Sequence, residues 1–537
     1  MAATEPPPPD RSSTRDTGAS LVAAGILISR LLGFVRDAVI AHVLGTQAAA
    51  GALRAALRIP NLLQNLFGEG ALSASFIPVY ARLRTEGRHD EALRVAGAVF
   101  TLLALLSSVL VLVGVTWAAE LVALLTPGFS AESRALTTSL VRIMFPGVGL
   151  LVLSAWCLGV LNSHRRFFLS YVSPVMWNAA IIGAVIFGPR TSLDDAARLV
   201  AWGALVGSGL QFAVQLPAVF SLVRGMSLRP SLGDPSVQTV ARNFGPAFMS
   251  RGVLQISSFV DLQFATMLSE SAVAALGLAQ SVTLLPVTLF GTAVTAAALP
   301  AMSSEVGNDE QRHAALRTRL AANQHRIAYF IVPSAAAFLT VGDAIAAALF
   351  RSGRFTGADT RWLWAILAGA SLGLLASALA RLYSSAFFAL QDTTTPFRLA
   401  LVRVAVGIAL AYLLGIRAPG WIGVESRWGA TGLTLAAGVA GWCEFALLRR
   451  ALHRRIGALP PVLPALLRLW ASALIAAVIT WAVRVPWLGA DATPRRIEAA
   501  VLLAVFASAY GAVTLLWRVP EAVALVERVR RLRRVSA

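Results

Sequence analysis

Residues 95–116 read VAGAVFTLLALLSSVLVLVGVT, an uninterrupted stretch without a charged side chain. About 20 apolar residues are enough for an α-helix to cross the hydrocarbon core of a bilayer. Similar stretches fill most of the 537-residue chain, which is 57% hydrophobic and 14% charged, with a mean hydropathy of +0.70. The polar gaps between them are too short for a soluble domain with its own core. The sequence therefore predicts a polytopic membrane protein.

The apolar segments predict an all-α fold of about 14 transmembrane helices. In lipid, only helices and closed barrels satisfy every backbone polar group. A barrel would show strands of about 10 residues with alternating polarity, and the sequence lacks that pattern. The segments, numbered 1 to 14, lie near 18–44, 48–81, 95–126, 135–162, 167–188, 196–223, 238–268, 271–302, 327–350, 361–391, 396–416, 428–448, 463–483 and 497–517.

The formal charge of +19 follows membrane topology rather than nucleic-acid binding. All 46 basic residues are arginines, and they concentrate in the loops after even-numbered segments, with Arg351, Arg354 and Arg361 as the exception. Because cytoplasmic loops carry the basic excess, this predicts a bacterial inner-membrane protein with both termini in the cytoplasm. The arginine-rich C-terminal tail fits the same signal, with binding to anionic lipid headgroups as the alternative. Cys157 and Cys443 lie in apolar segments, so no disulfide framework is implied.

An internal repeat predicts two pseudo-symmetric six-helix lobes around a central cavity, followed by two C-terminal helices. LFGEGALSASFIPVYARL at 66–83 resembles LFGTAVTAAALPAMSSEV at 289–306, and one gap aligns Pro78 with Pro300. Chance similarity between apolar segments is the alternative. The predicted regions are a disordered cytoplasmic N-terminus (1–17), an N-lobe (18–224), a cytoplasmic linker (225–237), a C-lobe (238–456), helices 13 and 14 (457–520) and a basic cytoplasmic tail (521–537).

Charged side chains inside the apolar segments are the functional candidates. An ionised group at the centre of a membrane helix costs about 2.5–3.5 kcal/mol, so function is the first hypothesis. Within segment 2, the charged positions return to nearly the same helical face. The candidates are Arg30, Arg36 and Asp37 in segment 1, Arg54, Arg58 and Glu69 in segment 2, and Arg251 and Asp261 in segment 7.

These charges predict a water-filled cavity whose arginines bind an anion. Arginine stays protonated and its planar fork matches phosphate oxygens, so a pyrophosphate is a suitable ligand. The acids would hold the arginines in place when the site is empty, and Asp261 is a candidate cation site. Two alternatives stay open: Arg54 and Arg58 extend toward the nearby end of their helix, and Arg251 forms a structural pair with an acid on another helix.

The sequence lacks the patterns expected of an enzyme or a metalloprotein. It contains no metal-ligand spacing, nucleotide-binding glycine loop or ATPase motif. We therefore expect a transporter without a cofactor or bound metal. The membrane potential, a coupling cation such as Na⁺ or H⁺, or lipid turnover would supply the energy.

Five motifs carry a family resemblance: SRLLGFVRDAVIAHVLG (29–45), RIPNLLQNLFGEGALSASFIPVY (58–80), LNSHRRFFLSYVSPVMWN (161–178), FRSGRFTGADT (350–360) and FFALQDTTTPFR (387–398). In this order they resemble the MurJ (MviN) family of lipid II flippases, which belongs to the multidrug/oligosaccharidyl-lipid/polysaccharide exporter superfamily. The resemblance covers about residues 20–450. It implies two helix bundles around a central cavity, with two C-terminal helices forming a groove for a lipid tail.

The resemblance also implies a substrate and site residues. The substrate would be lipid II, the undecaprenyl-pyrophosphate-linked disaccharide pentapeptide, turned from the inner to the outer leaflet for peptidoglycan synthesis. Cell-wall synthesis enzymes would be candidate partners. Arg30, Arg36, Asp37 and Glu69 match positions that matter for transport in the family, and Asp261 matches an acid linked to sodium in some members.

Several positions depart from the family pattern. Gly51 stands where the family has an acid, Gln64 and Asn65 stand where it has two arginines, and Ser281 stands where it has another. The positions of segment 11 that would complete a sodium site are apolar, in VAVGIALAYL at 404–413. Two other functions therefore stay open: export of another lipid-linked oligosaccharide, of the O-antigen or capsule type, and a scaffold role without transport.

Overall fold

The computed structural model is built from long, apolar helices. It describes residues 11–63, 65–66, 71–189, 191–292, 294, 309–459, 463–489 and 492–535. Every regular element within these ranges is a helix, so the prediction of an all-α fold is confirmed. Residues 1–10 of the N-terminal segment predicted to be disordered lie outside these ranges, and helix α1 begins at Arg11.

The helices of the first half of the chain are α1 (Arg11–Leu44), α2 (Ala48–Leu63), α3 (Ser73–Thr85), α4 (His89–Thr116), α5 (Ala118–Leu125), α6 (Ala131–Ser163), α7 (Phe167–Val172), α8 (Pro174–Phe187), α9 (Leu193–Ala213), α10 (Leu216–Leu222), α11 (Pro235–Leu268) and α12 (Glu270–Pro286). Those of the second half are α13 (Asp309–Thr340), α14 (Gly342–Phe350), α15 (Gly357–Ala389), α16 (Thr394–Leu410), α17 (Ala418–Ile422), α18 (Gly429–Ile456), α19 (Leu463–Leu488), α20 (Arg496–Leu516) and α21 (Pro520–Val535).

Ten helical stretches of the described residues are long and apolar enough to cross a membrane. An eleventh is added if Glu310–Thr340 and Gly342–Phe350, which meet at a bend of 87°, form one span. These stretches correspond to the predicted segments other than 1, 2 and 7, which are the three that hold the candidate site charges. The chain is therefore a multi-pass membrane protein, and the count of 14 helices stays a prediction.

The chain divides into two compact units. Unit 1 comprises Met1–Leu44 and Ala52–Phe259, and unit 2 comprises Gly45–Gly51 and Val260–Ala537. In unit 1, α3, α4 and α6 enclose an aromatic core. There the ring of Phe100 meets Trp156 edge-on at 4.8 Å, and the indole of Trp156 donates a hydrogen bond to the carbonyl of Ala96. This core fixes the helices behind the predicted site.

Close helix packing in unit 1 also fixes α8, which contributes to the site described below. A Cβ atom added at Gly207 on α9 would lie 2.8 Å from the Cα atom of Trp177 on α8. Real Cβ atoms do not approach a backbone this closely. A glycine at this position therefore lets the two helices approach each other, as small residues do between membrane helices.

Described residues at or near both LFG stretches of the internal repeat are π-helical. Val287–Thr292, which contains the second LFG, is a π-helix that continues α12. Residues 65–66 and 71–72, on either side of the first LFG, are also π-helical, whereas 67–70 lie outside the described residues. A π-helical turn inside an α-helix interrupts the regular hydrogen-bond ladder, and such turns are frequent at functional sites.

The arginines that broke the topology pattern have a structural use in unit 2. Arg351, which follows α14, donates hydrogen bonds to the carbonyls of Thr493 and Pro494 in the loop between α19 and α20. Arg496, at the start of α20, donates a hydrogen bond back to the segment after α14, to the Oγ of Ser352 at 3.0 Å. Arg351 and Arg496 therefore attach the C-terminal helix pair to the loop after α14.

Candidate functional site

A buried carboxylate in unit 1 brings two arginines together. Asp37 on α1 is only 3% exposed. Its Oδ1 accepts hydrogen bonds from Nε and Nη2 of Arg36 at 3.1 and 2.8 Å. Nη2 of Arg54, on α2, lies 3.3 Å from the same oxygen. Two guanidinium groups from two helices thus converge on one carboxylate oxygen.

Arg36 has further partners on α8. Its Nη1 donates a hydrogen bond to Oδ1 of Asn178 at 3.0 Å, and its guanidinium lies 5.0 Å from the ring centroid of Trp177. The amide of Asn178 in turn donates to the carbonyl of Pro174 at 3.1 Å, which fixes its orientation. An arginine held by a carboxylate, an amide and an aromatic face has its planar guanidinium pre-organised for an oxyanion.

Arg54 is held less tightly than Arg36. Its side chain is 14% exposed, and its buried Nη2 makes the ion pair with Asp37 without meeting the geometry of a hydrogen bond within the described structure. A buried arginine donor that lacks a hydrogen bond is costly unless a further acceptor reaches it. A ligand oxygen beside Asp37 would supply that acceptor.

Arg58 lies one turn further along α2 and contacts another helix. Its Nη2 donates to Oγ of Ser258 at 2.7 Å and to the carbonyl of the same residue at 3.2 Å. Ser258 lies on the part of α11 that belongs to unit 1. Arg54 and Arg58 therefore bind partners inside the unit, and the alternative that they merely extend toward the helix end does not describe their contacts.

Only two of the other four candidates have a side chain within the described structure. Arg30 lies on α1 with an exposed side chain, and Asp261 is exposed on the part of α11 that belongs to unit 2. Glu69 lies outside the described residues, as does the side chain of Arg251. The structure thus joins Arg36, Asp37 and Arg54, places Arg58 one turn away, and leaves the roles of the other four as predictions.

Two contact residues of Arg36 were missed by the search for charges. Trp177 and Asn178 are the last two residues of the motif at 161–178, so the sequence did contain a signal for them. An ion pair inside the predicted segments of unit 2, between Arg403 and Glu444, was also missed. Both residues, like Arg381 near them, are charged residues in apolar segments. The same feature made the charged residues of segments 1, 2 and 7 candidates.

The departures from the family pattern have local structural consequences. A Cβ atom at Gly51 would lie 2.1 Å from the carbonyl oxygen of Glu270, so no side chain fits at this position as the backbone stands. The hydroxyl of Ser281 donates to the carbonyl of Gly277 on its own helix at 3.2 Å. Asn65 is exposed, and Gln64 lies outside the described residues.

The charge and the donors of the cluster decide which ligands it can hold. Arg36, Arg54 and Asp37 together carry a net charge of +1. Among the described residues, no group of three or more His, Cys, Asp or Glu side chains is placed to hold a metal ion. The two guanidinium groups can supply charge-assisted hydrogen bonds to an oxyanion.

Comparison with known proteins gives one consistent family. A family model described as lipid II flippase MurJ matches residues 40–490. The lipid II flippase MurJ of Burkholderia cenocepacia is 31% identical over 506 residues, which cover 91% of this chain and 95% of that protein. The probable lipid II flippase MurJ of Rhizobium meliloti is 31% identical over 502 residues, covering 91% and 90%.

Solved structures give the same fold. The structure of a lipid II flippase MurJ in an inward closed conformation aligns with a TM-score of 0.76 at 23% identity, covering 93% of this chain and 99% of that one. An inward-facing multidrug resistance transporter of the MATE family aligns with a TM-score of 0.63 at 17% identity, covering 79% and 95%. At these identities the structures establish the fold alone.

Proposed function

The chain belongs to the lipid II flippase MurJ family, and from that premise we propose that it moves lipid II from the inner to the outer leaflet of a bacterial plasma membrane. The match over residues 40–490 and the identity of 31% to named flippases support the substrate. The protein is a transporter and not an enzyme. Its termini lie in the cytoplasm, in agreement with the distribution of loop arginines.

The observation that carries this proposal is the convergence of Arg36 and Arg54 on Asp37. Lipid II contains a pyrophosphate, which must cross the membrane as an anion. The two guanidinium groups, 2.8 and 3.3 Å from Oδ1 of Asp37, are spaced for an acceptor with several oxygens. A pyrophosphate oxygen that replaces Asp37 at one of them gains a charge-assisted hydrogen bond.

Asp37 keeps the empty site stable. Without a carboxylate, two buried guanidinium groups would repel each other and lose solvation. With it, the ligand must compete for the arginines, so binding is reversible. Reversibility is what a carrier that works by alternating access requires, because the same site must release the substrate on the opposite face of the membrane.

The other candidates extend the binding region in this proposal. Arg30, Arg58 and Arg251 supply further positive charge for the sugar-linked pyrophosphate, and Glu69 holds arginines in place when the site is empty. Asp261 binds a coupling cation, Na⁺ or H⁺. No cofactor is required. A cation gradient or the membrane potential would return the empty carrier, at about 2.3 kcal/mol per charge for 100 mV.

Complementation tests the function. The full-length chain is expressed in a bacterium depleted of its own lipid II flippase, and growth and lipid II in the outer leaflet are measured. Rescue of both supports the proposal. Correct insertion without outward lipid II contradicts it and favours the alternative of another lipid-linked oligosaccharide, which the same assay detects with O-antigen or capsule intermediates.

A further inference from the structure

A second charged cluster lies in unit 2, on helices that take no part in the cluster around Asp37. Nη1 of Arg403 on α16 lies 3.4 Å from Oε2 of Glu444 on α18. Arg381 on α15 interacts electrostatically with both residues, and its Nε donates to the carbonyl of Ser377 at 3.3 Å. Three apolar helices thus contribute two arginines and one acid to one place.

The cluster lies deep within these helices. The ends of α15, α16 and α18 meet where Arg455 pairs with Asp392 at 2.5 Å. From those ends, Arg381, Arg403 and Glu444 lie eight, nine and twelve residues away, or about 12, 14 and 18 Å at about 1.5 Å per residue. These charges therefore lie within the helices and not in a loop.

Exposure divides the three residues into two roles. Glu444 is buried, at 7%, and anchors the cluster between helices. The side chain of Arg403 is 45% exposed, and that of Arg381 is also exposed. With two arginines against one carboxylate, the exposed part of the cluster carries the excess positive charge. An exposed guanidinium in an apolar span is costly unless an anion reaches it.

We propose that Arg381 and Arg403 form a binding site for the phosphate group of a membrane lipid. A phosphate attached to lipid tails can reach arginines on the exposed face of an apolar helix, whereas a free inorganic phosphate would have to leave water. Arg403 donates one hydrogen bond to Glu444, and the other donors of its exposed guanidinium are available to a phosphate. Arg381 supplies the second cation. Glu444 accepts from Arg403 through an oxygen that a glutamine would also offer, and its negative charge competes with the lipid phosphate. This site does not depend on lipid II transport.

The test measures lipid binding to the purified full-length protein by native mass spectrometry. The probes are phosphatidylglycerol, zwitterionic phosphatidylcholine, undecaprenyl pyrophosphate and inorganic pyrophosphate. Arg403→Gln and Arg381→Gln each remove one cation. Arg417→Gln is the matched control, because Arg417 is exposed near the other end of the same transmembrane stretch, where it donates to the hydroxyl of Tyr412. Glu444→Gln removes the competing acid, and thermal denaturation verifies that each variant is folded.

We expect Arg403→Gln and Arg381→Gln to weaken phosphatidylglycerol binding about tenfold, as loss of a charge-assisted hydrogen bond predicts. Arg417→Gln should leave binding unchanged, and Glu444→Gln should keep or strengthen it.

The lipid probes identify the ligand. If the protein binds undecaprenyl pyrophosphate more tightly than phosphatidylglycerol, the ligand is the transported lipid. If it binds both equally, the ligand is any anionic lipid. The site would be overturned if Arg417→Gln or Glu444→Gln weakened lipid binding as much as Arg403→Gln does. Displacement of bound lipid by inorganic pyrophosphate would also overturn it. Failed complementation with binding intact would overturn only the transport function.

Discussion

Arg484 and Asp343 form a bidentate ion pair that is almost completely buried. Nη2 of Arg484 lies 2.6 Å from Oδ2 of Asp343, and Nη1 lies 3.2 Å from Oδ1, with the two side chains 9% and 2% exposed. Nη2 also donates to the carbonyl of Ala492. The pair joins α19 to α14 and, with Arg351 and Arg496, attaches the C-terminal helix pair to the rest of unit 2.

Removing one partner of this pair should destabilise the protein strongly. Arg484→Ala leaves Asp343 as an uncompensated buried charge, which costs about 3–5 kcal/mol. We expect a lower thermal denaturation temperature in detergent and faster proteolysis of the loop between α19 and α20. The double variant Arg484→Leu/Asp343→Leu should recover most of the loss. The assignment would be contradicted if Arg484→Ala were as stable as the wild type. It would also be contradicted if Arg484→Ala were as stable as the control Arg198→Ala, which removes one partner of the exposed ion pair between Arg198 and Asp195.

Arg36→Ala should abolish transport while the protein still folds and inserts. The substitution removes the guanidinium that Asp37, Asn178 and Trp177 hold in place, and loss of its charge-assisted hydrogen bonds predicts at least a tenfold fall in lipid II transport. Arg36→Lys should retain only part of the activity, because an ammonium group lacks the planar fork. Outward lipid II in the complementation strain gives the measurement. Normal transport by Arg36→Ala would remove this residue from the mechanism.

Gly51→Glu, which restores the charge implied by the family resemblance, should destabilise the protein and not improve transport. Even a Cβ atom there would lie 2.6 Å from the carbonyl carbon of Glu270, so the backbone must shift. Overpacking of this kind costs about 1–3 kcal/mol. Thermal denaturation of Gly51→Ala measures the effect. Gly183→Ala is the control, since nothing lies within 4 Å of its added Cβ atom, and equal stability of the two variants would refute the steric argument.

His164 should make folding stability dependent on pH. Burial, together with the positive charges of Arg84 and Arg166, lowers the pKa of His164 from 6.5 to about 4. Between these values the unfolded chain binds a proton and the folded chain does not, so the free energy of unfolding falls as the pH drops through this window. Thermal denaturation at pH 7 and pH 5 should show a larger decrease for the wild type than for His164→Gln. An identical decrease in denaturation temperature for the wild type and His164→Gln would argue against the lowered pKa of His164. His89→Gln, which removes an exposed histidine, is the control and should behave like the wild type.

Local composition accounts for most of what could be predicted about the fold. Charge-free stretches such as 95–116 require helices in lipid, because the backbone has no other way to satisfy its polar groups. The same reasoning made Arg36, Asp37 and Arg54 candidates, since charges in such stretches are rare. It could equally have selected Arg381, Arg403 and Glu444, which carry the same signal in segments 10 to 12.

Partners across helices could not be predicted in this way. Asp37 could be paired with any of several arginines, and helical spacing on one segment does not say which neighbouring helix faces it. Asn178 and Trp177 were quoted in a motif without a role, because an amide and an indole in an apolar run carry no charge signal. The arginines after α14 were counted against the topology, whereas Arg351 binds a loop that is more than 100 residues away in sequence.

The sequence by itself determined that this is an all-α membrane protein of the MurJ family, because helix formation in lipid depends on local composition and the family motifs are contiguous. Only the tertiary structure decided that Arg36 and Arg54 share one oxygen of Asp37, that Gly51 has no room for the family's acid, and that Arg484 is a structural residue. Those outcomes depend on which helices pack together and how closely. That information is distributed over the whole chain, in small residues such as Gly207 that set helix separation, and it cannot be read from one segment at a time.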